Sequence, residues 1–177
     1  DLIKETYVAP CGVPSIGYTN PYGQAGVSPL GYPSFDANQA KLPVSSNPSI
    51  EGGGYATAPD YAKLLLMHLR GGKCGDTSVL SADAVATMQK DRVTPYGGTP
   101  STGAAATGTS IFTGYGLGWW VSEQMIADPG AYGAFPFLDL KRGYGAIIML
   151  EVSSAVGGQV GLAIKPTLDG IFDKLKK

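Results

Sequence analysis

The feature that most constrains this chain is the stretch 131–152, AYGAFPFLDLKRGYGAIIMLEV, in which two apolar runs flank a short charged turn. The runs AYGAFPFL and YGAIIMLEV are rich in aromatic and β-branched residues, the side chains that fit a pleated and at least half-buried surface. DLKRG between them is short enough for a hairpin and offers Gly143 for a positive φ. YGLGWWV, at 115–121, reads as a third strand of the same kind. In front of the hairpin stands a corner, Asp128-Pro129-Gly130, that an ordinary strand entry does not need.

The segments on either side have a helical period. Residues 1–8 read as the last turns of an amphipathic helix, with Leu2, Ile3 and Tyr7 inward, ending before Pro10 and Gly12. From 9 to 53 six further prolines (14, 21, 29, 33, 43 and 48) break any periodicity, so this region is expected as a long ordered loop. Two helices fill 54–93. The first has Thr57 as its cap, Asp60 three residues on in the manner of a capping box, and Gly71-Gly72 as its stop, with Tyr61, Leu64, Leu65, His68 and Leu69 inward. The second begins at Ser81, with Asp83 in its first turn and Val85, Met88 and Val93 inward. Residues 94–113 read as a surface loop, 114–152 as the strands, and 158–175 as a terminal helix. That helix is expected to face inward with Val160, Leu162, Ala163, Ile164, Leu168, Ile171, Phe172 and Leu175, and to bend or restart at Pro166. The fold class is therefore α+β: a short antiparallel sheet of about three strands, covering helices and a C-terminal helix, in a single domain over 1–177.

The totals narrow the function. A net charge of -1 leaves no basic stripe for nucleic acid and no polybasic segment for an anionic membrane. No apolar run approaches the ~18–20 residues that cross a bilayer. The ligand expected is small and not strongly charged. Cys11 and Cys74, the only two cysteines, both lie in loop-like glycine contexts where a disulfide fits; such a pair would point to a secreted or periplasmic protein, and two unpaired thiols to a cytosolic one. The abrupt start in DLIKETYVAPCG reads as the inside of a helix, as in a fragment or a processed chain.

Several segments together resemble a known superfamily. GGGYATAPDYAKLLLMHLRGGKCGDTSVLSADAVATM, then YGLGWW, then DPGAYGAFPFLDLKRGYGAIIMLE, are similar in order and spacing to the C-terminal half of the serine β-lactamase-like hydrolases. These comprise class C β-lactamases, DD-peptidases and family VIII esterases. The resemblance covers about residues 50–151, and Pro10-Cys11-Gly12-Val13 resembles the turn that precedes this region. It implies the C-terminal part of a β-lactamase/transpeptidase-like fold and acyl-enzyme chemistry, with no cofactor and no metal.

That chemistry requires a serine nucleophile with a lysine one helical turn later, a Tyr-x-Asn or Ser-x-Asn element, and a third element, usually Lys-Thr-Gly or His-x-Gly. No Ser-x-x-Lys occurs in the chain. Tyr18-Thr19-Asn20 has the letters of the second element, but follows the PCGV turn where relatives place it tens of residues earlier, so a turn before Pro21 is the favoured reading. Aligned on the glycine and the strand after it, Asp128-Pro129-Gly130 occupies the third position. The resemblance then implies that Gly130 permits close approach of substrate and that the Ala131 N–H helps form an oxyanion hole. Asp128 stands where relatives carry a cation that binds a carboxylate, so a neutral ester or amide is the expected substrate. Tyr132 joins Asp128 as a substrate-binding candidate. The plain alternative for Asp128-Pro129 is a turn before a strand.

Other candidates are weaker. His68, the only histidine, sits mid-helix on an apolar face and reads as packed. No His, Cys and carboxylate cluster has metal spacing, and no glycine pair follows a strand to open a helix as a phosphate loop would. Trp119-Trp120 would send one ring inward and one outward, as most such pairs do. Two functions follow. In the first, this chain is part of an esterase or amidase whose nucleophile comes from an upstream segment or a second chain. In the second it is a non-catalytic binding fragment. On either, three strands alone would leave an exposed edge that invites a partner or self-association.

Overall fold

The computed structural model describes residues 2–18, 54–100 and 111–176. At the start of the chain a π-helical turn, Lys4–Val8, runs into α1, Ala9–Cys11, and stops at Gly12 in the left-handed conformation. The helix therefore passes through Pro10 rather than ending before it. Leu2, expected inward, is 80% exposed. Of the long loop expected over 9–53, residues 19–53 lie outside the described residues; Gly17 bridges to Tyr55.

Helix α2, Ala58–Leu69, begins at Thr57. Asp60 does not reach back to the Thr57 amide as a capping box would. Its carboxylate accepts instead from the amide and hydroxyl of Ser15, at 2.9 and 2.6 Å, and the Thr57 N–H donates to the same hydroxyl at 3.0 Å. A residue 45 positions away thus caps the helix, which no local pattern can show. Strands β1, Lys73–Cys74, and β2, Thr77–Ser78, form a small ribbon, and a disulfide joins Cys11 to Cys74. Helix α3, Ala82–Met88, is capped as expected, the Ser81 hydroxyl accepting from the Ala84 amide at 3.1 Å.

Five strands follow where three were expected: β3 (Gly114–Tyr115), β4 (Trp120–Val121), β5 (Ile126–Ala127), β6 (Phe135–Asp139) and β7 (Tyr144–Ile148), adjacent in that order and antiparallel throughout. YGLGWWV is not one strand. Tyr115 pairs with Trp120, Gly116 donates to the Trp119 carbonyl at 2.8 Å, and Gly118 sits at φ 84°, so the run folds back on itself. AYGAFPFL likewise spends its first residues in a turn and pairs only from Phe135. The charged hairpin turn forms as read, with Gly143 at φ 70° donating to the Asp139 carbonyl. Phe112, placed by the sequence in a surface loop, is buried in the core.

The sheet is covered on both faces. Ile126 and Leu138 turn towards α2 with Leu65, Tyr61 and Trp119; Ala127, Phe135, Phe137 and Tyr144 turn the other way. This alternation explains why every residue of β6 is buried and why its sequence reads as a continuous apolar run. Against that second face lies α4, Ser154–Leu175, which starts earlier than 158 and continues through Pro166.

The inner face of α4 differs from its expected stripe. Gly157, Gly158, Gly161 and Lys165 are buried, with Leu162, Leu168 and Phe172 packed beside them, whereas Ile164, Ile171 and Leu175 are exposed. Packing explains the glycines: a Cβ at Gly161 would stand 2.1 Å from the Phe135 ring. Lys165 is tolerated because it is fully paired, at 2.8 Å from Asp139 and 2.8 Å from Asp169. Arg142 adds contacts to Asp139 and Asp173, and the Tyr144 hydroxyl donates to Asp169 at 2.7 Å. The Tyr144 ring stacks on Phe172 at 4.2 Å. This charged cluster fastens α4 to the β6–β7 hairpin.

Candidate active site

The corner before the hairpin is a built turn. The ladder between β5 and β6 extends past Ala127 through the Asp128 amide, which donates to the Pro136 carbonyl at 3.2 Å. Pro129 has no N–H to continue it. The Gly130 amide then donates to Ala134 at 2.8 Å and the Gly133 amide to Gly130 at 3.1 Å, so residues 130–134 close on themselves. Ala131 and Tyr132 project at the tip, exposed. The Ala131 N–H has no hydrogen-bond acceptor among the described residues, and a free, fixed amide donor at an exposed corner can receive developing negative charge.

Three supports hold this corner from behind. The Val152 amide donates to the Tyr132 carbonyl at 3.2 Å. Gly133, at φ 94°, leaves no room for a side chain: a Cβ there would meet Val152 Cγ2 at 2.6 Å and two carbonyl oxygens at 2.9 Å. Gly157, in the first turns of α4, lies flat on it, since a Cβ at 157 would come within 2.5 Å of the Gly133 carbonyl oxygen. Gly130 differs from these. Its φ is ordinary, and a Cβ there would meet only Ala134, its Cβ at 3.4 Å and its carbonyl oxygen at 3.9 Å, so nothing among the described residues requires a glycine.

Asp128 brings the electrostatics. Part of its surface meets solvent, yet the surrounding protein desolvates the carboxyl enough to push its pKa up to about 6. No hydrogen bond or ion pair to its carboxylate is present among the described residues. Tyr61 and Tyr115 lie close enough to feel its charge. Burial, and then Asp128, raise Tyr61 to about 12 and raise Tyr115 above the ordinary range. Tyr55 is raised by burial and by Tyr132. All four positions singled out in the sequence, Asp128, Gly130, Ala131 and Tyr132, therefore fall on one corner, and Tyr61, Tyr115 and Tyr55 join its surroundings. Sequence reading took Tyr61 only as an inward helix residue. The signal that could have found the others is the recurrence of Tyr beside Gly, in GGGYATA and TGYGLGW.

The remaining candidates pack. His68 meets Trp119 edge-on at 5.2 Å, and burial lowers its pKa. Trp119 is buried towards α2, while Trp120 packs against the opposite core and against Tyr115 at 4.8 Å. Tyr18 is half-buried; Thr19 and Asn20 lie outside the described residues. Among the described residues no group of three or more His, Cys, Asp or Glu could hold a metal, and no helix is long and apolar enough to cross a membrane.

The family model described as Beta-lactamase matches residues 2–160. No curated protein matches the chain. Among solved structures, a candidate β-lactamase from Bacteroides dorei DSM 17855 superposes with a TM-score of 0.64 at 26% identity, over 97% of this chain and 51% of that one. Simvastatin synthase (LovD) from Aspergillus terreus, unliganded, gives 0.54 at 12%, over 89% of this chain and 48% of its own. Its LovD6 mutant gives 0.54 at 14%, over 89% and 49%. The likeness to LovD is one of fold. The chain spans about half the length of these structures.

Proposed function

The chain belongs to the beta-lactamase family, and on that premise we propose that it supplies the third active-site element of a serine hydrolase of esterase or amidase type. The nucleophilic serine and its lysine would come from a segment outside these 177 residues. A serine Oγ attacks the acyl carbonyl, the alcohol or amine leaves, and water releases the acyl group from the serine ester. The Ala131 N–H donates to the developing oxyanion together with the serine's own amide. Gly130 keeps the approach open. Asp128, where relatives carry a cation, repels a substrate carboxylate and so favours neutral esters and amides; Tyr132 lines the entrance. The observation that carries this reading is the Ala131 amide, without an acceptor among the described residues, on a corner held from behind by Val152 and Gly157.

The Cys11–Cys74 disulfide supports an oxidising compartment, secreted or periplasmic. One observation favours a second reading, a non-catalytic binding module: the chain contains no Ser-x-x-Lys. Hydrolysis of p-nitrophenyl butyrate separates the two. Turnover with a burst is expected from the natural-length protein and none from the 177 residues alone; a natural-length protein without turnover would leave only the binding module.

A further inference from the structure

We propose a second binding site on the opposite side of α2, for a small organic oxyanion that carries a short hydrocarbon part. It is independent of the hydrolase reading. Lys63, Leu66, Met67 and Arg70 recur at the spacing that places them on one helical face, away from the Tyr61, Leu65 and Leu69 face that packs on the sheet. They line a groove of about 380 Å³ whose other walls are the Ala9–Gly12 turn and the β1 strand with Lys73. That volume lies at the lower end of the roughly 300–1,000 Å³ of small-molecule sites.

Three features give the groove its chemistry. First, no acidic side chain among the described residues lines it, although the chain as a whole carries a net charge of -1. Second, its cations are not used up. Lys63 is engaged, donating to the Gly12 carbonyl at 2.5 Å and pairing with Asp60 at 3.2 Å. Near the end of α2, backbone amides already occupy Leu66 O (Arg70, 2.9 Å), Met67 O (Gly72, 2.9 Å) and His68 O (Gly71, 3.3 Å). The Arg70 guanidinium and the Lys73 ammonium make no hydrogen bond or ion pair among the described residues. Third, the apolar part is split between a buried floor, Met67 at 2% exposure, and an open wall, Leu66 at 42%. An oxyanion head on Arg70 and Lys73 with a hydrocarbon tail over Leu66 matches both halves.

The walls are covalently tied. Cys11 belongs to one and Cys74 to the other, with their Cα atoms 4.9 Å apart. The groove is thus held in shape before any ligand arrives, which lowers the ordering cost of binding.

Titration of the oxidised natural-length protein with octanoate, octyl phosphate and acetate, followed by calorimetry and by amide shifts, tests the site. Octanoate or octyl phosphate should bind more tightly than acetate and should move the amides of 63–75. Arg70→Gln with Lys73→Gln should weaken that binding about tenfold or more, the loss of ~1.4 kcal/mol or more that charge-assisted contacts supply, with the thermal midpoint unchanged. Leu66→Asn should weaken the octyl ligands but not acetate. Shifts scattered away from the groove, equal affinity for acetate and octanoate, or full affinity in the double variant would each overturn the proposal.

Discussion

Because Gly130 has an ordinary φ and only a 3.4 Å contact awaiting a Cβ, Gly130→Ala should leave thermal stability within about 0.5 kcal/mol, as neutral surface changes do. If substrate passes over it, kcat/KM should nonetheless fall about tenfold or more, since the added methyl displaces the acyl group from its donors. Asp128 has a folded pKa of about 6 against an ordinary 3.8. Its ionisation therefore costs stability as pH rises from 3.8 to about 6, and the Asp128→Asn variant should lose that slope in a pH series of denaturant midpoints. Discrimination against anionic esters should be strongest above pH 6, relax below it, and disappear in the same variant. That Asp128, Gly130, Ala131 and Tyr132 share one corner was legible because they lie within one short stretch of sequence. Tyr55, Tyr61 and Tyr115 were not, since three separate segments bring them there.

At the level of elements, local signals read well and cross-chain ones did not. The charged hairpin turn and the Ser81 cap formed as read because their partners lie within five residues. Asp60 escaped its capping box because Ser15 competes for its carboxylate. The face of α4 could not be read from its own period, since the Phe135 ring demands glycine at 161 and the Asp139 carboxylate retains Lys165. That buried pair gives a prediction. Lys165→Met would leave Asp139, whose side chain is 1% exposed, without its buried counter-charge, and should destabilise the protein by about 3–5 kcal/mol in chemical denaturation. Lys165→Met with Asp139→Leu should recover most of the loss.

For the whole molecule, the beta-lactamase family model matches residues 2–160, while the chain covers about half of each solved neighbour. One face of α4 bears exposed Val156, Ile164, Ile171 and Leu175, and among the described residues β7 is the last strand of its sheet, with Met149 and Leu150 exposed beyond it. An apolar surface beside an open strand edge attracts a partner. The 177 residues alone should therefore self-associate in a concentration-dependent way in sedimentation, and Ile164→Glu with Ile171→Glu should return them to monomer. Covalent trapping of the natural-length protein with a fluorophosphonate, followed by intact mass and peptide mapping, tests the serine-hydrolase reading. We predict a single phosphonyl adduct on a serine outside residues 1–177, with a rate that falls in Gly130→Ala. An adduct on one of this chain's own serines, or no adduct at all, would contradict the account.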